Sequence, residues 1–294
     1  MTDDAPTGDL DAAAAETYFQ SLADPTRVRV LAALARAEAA GETPLSYSDL
    51  QSRVGVRDNG RLNYHLSRLD GRFLVREDGA YALRPAGRFA HLVAVKSARD
   101  DADAPVETDA DCPDCGDRLV ARQADGSFLV ACRDCGRAAA RADEPFVRPS
   151  AVDRETFLDA LDRTIRERVG FLSRGLCPRC RAGAVATAPA DGDGNGVRYC
   201  HRCDACAGVH RTTPGELLLG HPDVVAFHRR HGVELGDGRA WALPFVAGGA
   251  GDVRSRDPWR VAVSVPVDGS DLTCVLDGDG VVVSTSTRTA LRGI

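Results

Sequence analysis

Nine of the ten cysteines stand three positions from another cysteine, and this spacing constrains the fold more than any other feature of the 294 residues. The pairs are Cys112 with Cys115, Cys132 with Cys135 and Cys177 with Cys180, followed by the overlapping run Cys200, Cys203, Cys206; Cys274 stands alone. A C-x-x-C turn aims two thiolates at one point, and two such turns complete a tetrahedral shell around Zn²⁺ with Zn–S distances of about 2.3 Å. In a chain without a secretory leader, matched pairs point to metal rather than to disulfides, and redox dithiols rarely come as matched sets. Between Cys115 and Cys132, the segments Arg118–Arg122 and Ser127–Ala131 flank Asp125-Gly126, the pattern of a hairpin with a strong turn. Residues 112–149 are therefore expected to form a first zinc ribbon.

The second block, starting with Cys177 and Cys180, leaves its partner pair open. A small residue after the last ligand suits the turn: Gly136 follows Cys135, and Ala207-Gly208 follows Cys206. The strand-like Val197–Arg202 also runs best if it ends at Cys203. These points favour Cys203 with Cys206 and leave Cys200 spare; Cys200 with Cys203 is the alternative. His201 and His210 are weaker ligand candidates, because four cysteines already close the shell. Two Zn²⁺ ions are expected, and four-thiolate sites are closed and structural rather than catalytic.

Charge locates a second kind of chemistry. The formal net charge is −6, with 33 aspartates, ten glutamates, 36 arginines and a single lysine, Lys96. An acidic, lysine-poor composition fits a GC-rich genome and a high-salt cytoplasm, and taken alone argues against nucleic acid. The sum hides an asymmetry. Residues 1–50 carry nine acids and three bases, whereas residues 51–88 carry eight arginines against four acids.

That cationic segment follows helical patterning. Tyr18, Phe19 and Leu22 stripe a first helix. Asp24-Pro25 caps a second, with Val28, Val30, Leu31 and Leu34 inward. Ser46 caps a short third helix, Tyr47 to Val54, with Asp49 in the capping-box position. Asp58 or Asn59 caps a fourth that runs to about Asp70, in which Leu62, Leu66 and Leu69 bury one face. Its other face carries Arg61, Asn63, Tyr64, Ser67 and Arg68, with Arg57 before it and Arg76 after it. Phe73–Leu83 around Asp78-Gly79 reads as a hairpin, and a last helix runs from Pro85 to about Ala98. Three helices and a hairpin make a winged helix-turn-helix. A merely solvated helix face is the plain alternative for the arginines.

Ala23-Asp24-Pro25-Thr26-Arg27 with Val30-Leu31, and Gly60-Arg61-Leu62-Asn63-Tyr64-His65-Leu66-Ser67-Arg68-Leu69, resemble the ArsR-type winged-helix repressors, closest to the helix-turn-helix regulators of haloarchaea. The resemblance covers roughly residues 16–97. It implies DNA contacts by Arg61, Asn63, Tyr64 and Arg68, a packing role for His65, and a homodimer on a pseudo-palindrome of double-stranded DNA. The cysteine-bearing motif of metal-sensing members is absent from Tyr47 to Val54. The acidic wing tip, Glu77-Asp78, argues for little phosphate binding there. The region after residue 112 is similar to the zinc-ribbon half of such regulators.

The expected architecture is α+β: a disordered tail (1–15), a winged helix-turn-helix domain (16–98), an acidic linker (99–111) and the first ribbon (112–149). A connecting helix (150–175), capped by Ser150, follows; its stripe Phe157, Leu158, Leu161, Ile165, Val169 and Leu172 serves as a dimer seam or packs on a ribbon. The second ribbon with a small C-terminal sheet occupies 176–294. A short helix starts at His221, and strands fall at Trp259–Val265, Leu272–Leu276 and Val281–Ser284, with a hairpin turn at Asp277–Gly280. The N-terminus lacks a basic-then-apolar leader and no run of 18 apolar residues occurs, so a cytoplasmic protein with no membrane partner is expected. No phosphate loop, nucleophile elbow or dinucleotide fingerprint is present, and no enzyme is expected. The expected function is sequence-specific transcriptional regulation, with no effector identified. The rivals are a zinc-ribbon adaptor for protein or RNA, and a redox trigger at Cys200 or Cys274.

Overall fold

The structure, a computed structural model, describes residues 11–97, 104–124, 127–143, 149–191, 196–247 and 251–288. The chain divides into two compact units, residues 1–100 and 101–294.

In the first unit, α1 (Ala12–Gln20), α2 (Pro25–Ala39), β1 (Leu45–Ser46), α3 (Tyr47–Val54) and α4 (Asn59–Leu69) precede β2 (Leu74–Glu77), β3 (Ala80–Leu83) and α5 (Pro85–Ser97). Short polar side chains start the helices by accepting the amide protons that a first turn leaves unpaired. Asp24 takes those of Thr26 and Arg27, with Pro25 at the first position. Ser46 takes that of Asp49, and Asp58 that of Arg61. The strands form an antiparallel sheet in the order β1-β3-β2, with Leu74 opposite Leu83 and Glu77 opposite Ala80. Val30, Leu31, Leu34, Leu50, Leu62, Leu69, Phe73 and Leu74 are sealed in one core.

Three expectations for this unit are corrected. The helix capped by Asp11 starts at Ala12, so the tail expected over 1–15 is ordered from there; residues 1–10 lie outside the described residues. Val28 and Phe19 point outward, 37% and 67% exposed, because the cores of α2 and α1 are filled by Val30, Leu31 and Leu34 and by Tyr18 and Leu22.

The second unit holds β4 (Val106–Asp111), β5 (Arg118–Ala124), β6 (Ser127–Cys132) and β7 (Ala138–Asp143), in that order in one antiparallel sheet. After α6 (Arg154–Leu172), β8 (Val185–Asp191), β9 (Val197–Cys203) and β10 (Gly208–Thr212) make a second sheet. Short helices α7 (Pro214–Leu217), α8 (Pro222–Arg230) and α9 (Pro244–Ala247) lead to a third, β11 (Asp252–Arg256), β12 (Trp259–Val267), β13 (Ser270–Leu276) and β14 (Val282–Arg288), again in chain order. The order of cysteine pair, two strands, cysteine pair, strand occurs in both of the first two sheets.

The linker expected over 99–111 is replaced from Val106 by β4, its residues 99–103 lying outside the described residues. Alternation is present but muted: Thr108 and Ala110 face inward, while Glu107, Asp109 and Asp111 face out to arginines. Arg118 meets Asp111 at 3.0 Å, Arg133 meets Glu107 at 3.0 Å, and Asp109 pairs with Arg154 and Arg239. Asp125-Gly126 also lies outside the described residues, although Ala124 and Ser127 pair across that point.

The connecting helix is capped by Asp153, which accepts the Thr156 amide at 2.9 Å; Ser150 sits in a separate 3-10 turn. Its whole apolar stripe, Phe157 to Leu172, is at most 3% exposed, and Phe157 meets Phe128 with ring centroids 5.2 Å apart. The dimer-seam alternative is thereby excluded. Helix α6, the first sheet, α7 to α9 and the inner residues of β12 and β13 share one core, so 112–149, 150–175 and 176–294 are parts of a single unit rather than successive domains. Among the described residues, no helix is long and apolar enough to cross a membrane.

Candidate metal centres and a cationic helix face

The turns that present the cysteines are built by backbone hydrogen bonds. Cys112 donates its amide to Asp117 and receives Gly116; Cys132 donates to Arg137; Cys177 donates to Ala182 and receives Arg181. Each turn needs a left-handed residue just after its second cysteine. Gly116 and Gly136 supply it in the first cluster, and Arg181 and Ala207, with φ of 68° and 53°, in the second.

The sulphurs of Cys112, Cys115, Cys132 and Cys135 lie within 4.8 Å of one another, as do those of Cys177, Cys180, Cys203 and Cys206. Cys112 to Cys135 is 3.7 Å and Cys115 to Cys132 is 3.3 Å; Cys177 to Cys206 is 3.7 Å and Cys180 to Cys203 is 3.5 Å. A tetrahedron with Zn–S bonds of about 2.3 Å has edges of about 3.8 Å, whereas a disulfide would bring sulphurs to about 2.05 Å. The spacing therefore fits four thiolates around one metal ion. Both clusters can bind a metal.

Amides prepare the sulphurs for negative charge. Burial works against ionisation of Cys177, yet the amides of Cys180 and Arg179, together with His210 and Cys206, bring its pKa down to about 6. Burial likewise opposes ionisation of Cys132, and the amides of Cys135 and Asp134 with the Cys115 sulphur bring it to about 7. Burial and the neighbouring sulphurs instead hold Cys206 up at about 12, so proton release from such thiols must accompany metal uptake.

Cys206, not Cys200, completes the second cluster. Cys200 sits on β9 opposite Thr187 and Arg211. Cys274 is sealed inside β13, and burial, with Asp223 and Asp271, pushes its thiol up to about 11. A thiol so held is a poor nucleophile.

Two residues beside the second cluster take roles that the sequence did not assign them. His210, 4% exposed, places Nε2 3.6 Å from the Cys177 sulphur. Gly208 leaves room for the sulphurs: a Cβ there would lie 3.1 Å from the Cys206 sulphur and 3.2 Å from His210 Nε2. Alternation along β10 was the available signal, since Gly208, His210 and Thr212 share its buried face.

In the first unit, α4 is anchored by Leu62, His65, Leu66 and Leu69. His65 lies against the Asp24 cap, with Nδ1 3.6 Å from its carboxylate. Arg57, Arg61, Asn63, Tyr64, Ser67, Arg68 and Arg76 are all exposed. Ser67 donates to the Tyr64 carbonyl at 2.8 Å, and Arg68 stacks over the Tyr64 ring at 5.4 Å. Arg76 stacks over Tyr81 at 5.7 Å. Arg53 and Arg88 pair with Glu42 and Glu38, but among the described residues no carboxylate pairs with Arg57, Arg61, Arg68 or Arg76.

No curated protein and no solved structure matches the chain. Residues 15–93 match the family described as Domain of unknown function (DUF7347). Residues 109–282, more than half of the chain and including both four-cysteine clusters, match a second family. By that match the chain belongs to the family described as Domain of unknown function (DUF7351).

Proposed function

We propose that the protein is a sequence-specific, DNA-binding transcriptional regulator. Its first unit is a winged helix-turn-helix of the ArsR type, with α4 as recognition helix and β2–β3 as wing. The second unit is built on two zinc ribbons. One observation carries the reading: α4 buries its leucines and His65 while presenting Arg61, Asn63, Tyr64, Ser67 and Arg68 to solvent, with its arginines unpaired by carboxylates. An unneutralised arginine on an exposed helix suits bidentate contact with guanine or a clamp on phosphate, and Asn63 suits adenine.

Zinc is the ion of choice because four soft thiolates in a closed tetrahedron favour it. Such a site has no open position for water, so its role is to hold the sheets together, not catalysis. A homodimer is supported by Phe19 on α1 and Phe89 on α5, large apolar side chains left 67% and 63% exposed. Binding-site selection with the purified full-length chain in near-native salt, with metal content measured on the same preparation, tests the proposal. The expected result is an enriched two-half-site duplex and about two zinc ions per chain. A pool without sequence enrichment would overturn it.

A further inference from the structure

A cleft of about 380 Å³ opens in the second unit, lined by residues of the first and second sheets and of α6. Its size falls within the ~300–1,000 Å³ usual for small-molecule sites. Both cysteine clusters border it: Gly136 follows Cys135, and Arg179 lies between Cys177 and Cys180.

The lining is charged one way. Arg141, Arg168, Arg179, Arg198 and Arg211 face a single carboxylate, Glu216. That carboxylate is already engaged. Arg168 holds it at 3.0 Å with both side chains at most 4% exposed, and the Thr213 amide donates to it at 2.7 Å. The second Arg168 nitrogen donates to the Arg211 carbonyl at 2.9 Å. Among the described residues, Arg141 donates to the neutral Ser127 hydroxyl, at 2.9 Å, and pairs with no carboxylate.

Three guanidiniums are left over. Among the described residues, no hydrogen bond or ion pair holds the side chains of Arg179, Arg198 or Arg211. Arg198 is the telling one, because it is partly buried on β9. Burial lowers its pKa; Glu216 alone opposes this, while Arg141, Arg137 and Arg211 push the same way as burial. Arginine does not give up its proton in a protein, so the cleft holds like charges together at a net cost. Proteins keep such an arrangement where a ligand relieves it.

We propose that this cleft binds a small, multiply charged oxyanion, a phosphate ester or a polycarboxylate, through Arg141, Arg179, Arg198 and Arg211. Guanidinium forks match the paired oxygens of either group. Because the ligand touches residues of both sheets, its binding stabilises the folded unit by mass action.

Calorimetric titration of the zinc-loaded full-length protein with inorganic pyrophosphate and with citrate, at constant ionic strength, tests this. Saturable 1:1 binding is expected, weakened about tenfold or more by Arg198→Met or Arg211→Gln, the loss of one charge-assisted contact. Arg122→Gln, exposed on β5 outside the cleft, leaves binding unchanged. The unliganded Arg198→Met protein is expected to melt at a higher temperature than the wild type, an effect that a merely structural arginine would reverse. Binding of pyrophosphate alone assigns the ligand to phosphate esters, and binding of both extends it to polycarboxylates. The proposal fails if neither anion binds saturably, if Arg198→Met and Arg211→Gln bind as the wild type does, or if these variants lose only duplex DNA.

Discussion

Ala207 sits left-handed at φ 53°, where a side chain strains the backbone and glycine does not. Ala207→Gly is therefore expected to stabilise the second unit by about 1 kcal/mol, read as a shift in its denaturation midpoint; an unchanged midpoint would count against the strain. Its neighbour works in the opposite sense. Gly208→Ala would drive a Cβ against the Cys206 sulphur and His210. The expected outcome is faster loss of the bound metal to a chelator, measured by a colorimetric metal indicator. Buried charge sets a third outcome. Glu216→Gln leaves Arg168 uncompensated, at 4% exposure, and should destabilise the unit by about 3–5 kcal/mol in urea titration. At this scale the cysteines were legible, because C-x-x-C fixes chemistry and geometry together. The turn after the last ligand pointed to Cys206, and the structure places its sulphur in the cluster. Arg198 and His210 stand on β9 and β10 beside the cysteine turn, yet their place at the cleft was not legible, since residues of the first sheet and of α6, far off in sequence, form its other walls.

The helix starts of the first unit were readable, because Asp24-Pro25, Ser46 and Asp58 each act within three residues of themselves. Strand β4 was not, because Thr108 and Ala110 carry its inward face without a strong apolar signal. Strands β7, β8, β10 and β11 were missed for a related reason: small or polar residues weaken their alternation, and sheet neighbours rather than local propensity hold them. The same local caps predict how acid acts on the first unit. Burial raises the Asp24 pKa, but the Thr26 and Arg27 amides and the His65 ring outweigh it, and the group ends below its ordinary 3.8. Hydrogen bonds from Arg88 hold Glu38 below 4.5, against a smaller opposing effect of burial. Carboxylates depressed on folding contribute stability above those ordinary values, and that contribution is lost as pH falls through the lower folded ones. Urea midpoints of the first unit should therefore fall steeply below about pH 4. Asp24→Asn keeps the cap and removes one titration, so its acid slope should be shallower; an identical slope would contradict the assignment.

The two units have separate cores, and only one carries the cysteine clusters. Metal removal should act on one of them. Both tryptophans, Trp241 and Trp259, belong to the second unit and report on it. A closed four-thiolate metal site, zinc in the proposal above, supplies on the order of 10 kcal/mol of folding free energy. A chelator should therefore shift tryptophan emission while helical circular dichroism from the first unit persists; simultaneous loss of both would contradict separate cores. The net charge of −6 misled at this scale, because it sums an acidic body and the arginine-bearing stretch from residue 51 to 88. The proposed function turns on α4 reading bases. Its most direct test is to titrate wild type and Arg61→Ala against the selected duplex and each single-base-pair variant of it, at fixed salt. Arg61→Ala is expected to lose about 1–3 kcal/mol on the selected duplex and no longer to discriminate at one base pair per half-site. Equal losses at every sequence, or none, would contradict it.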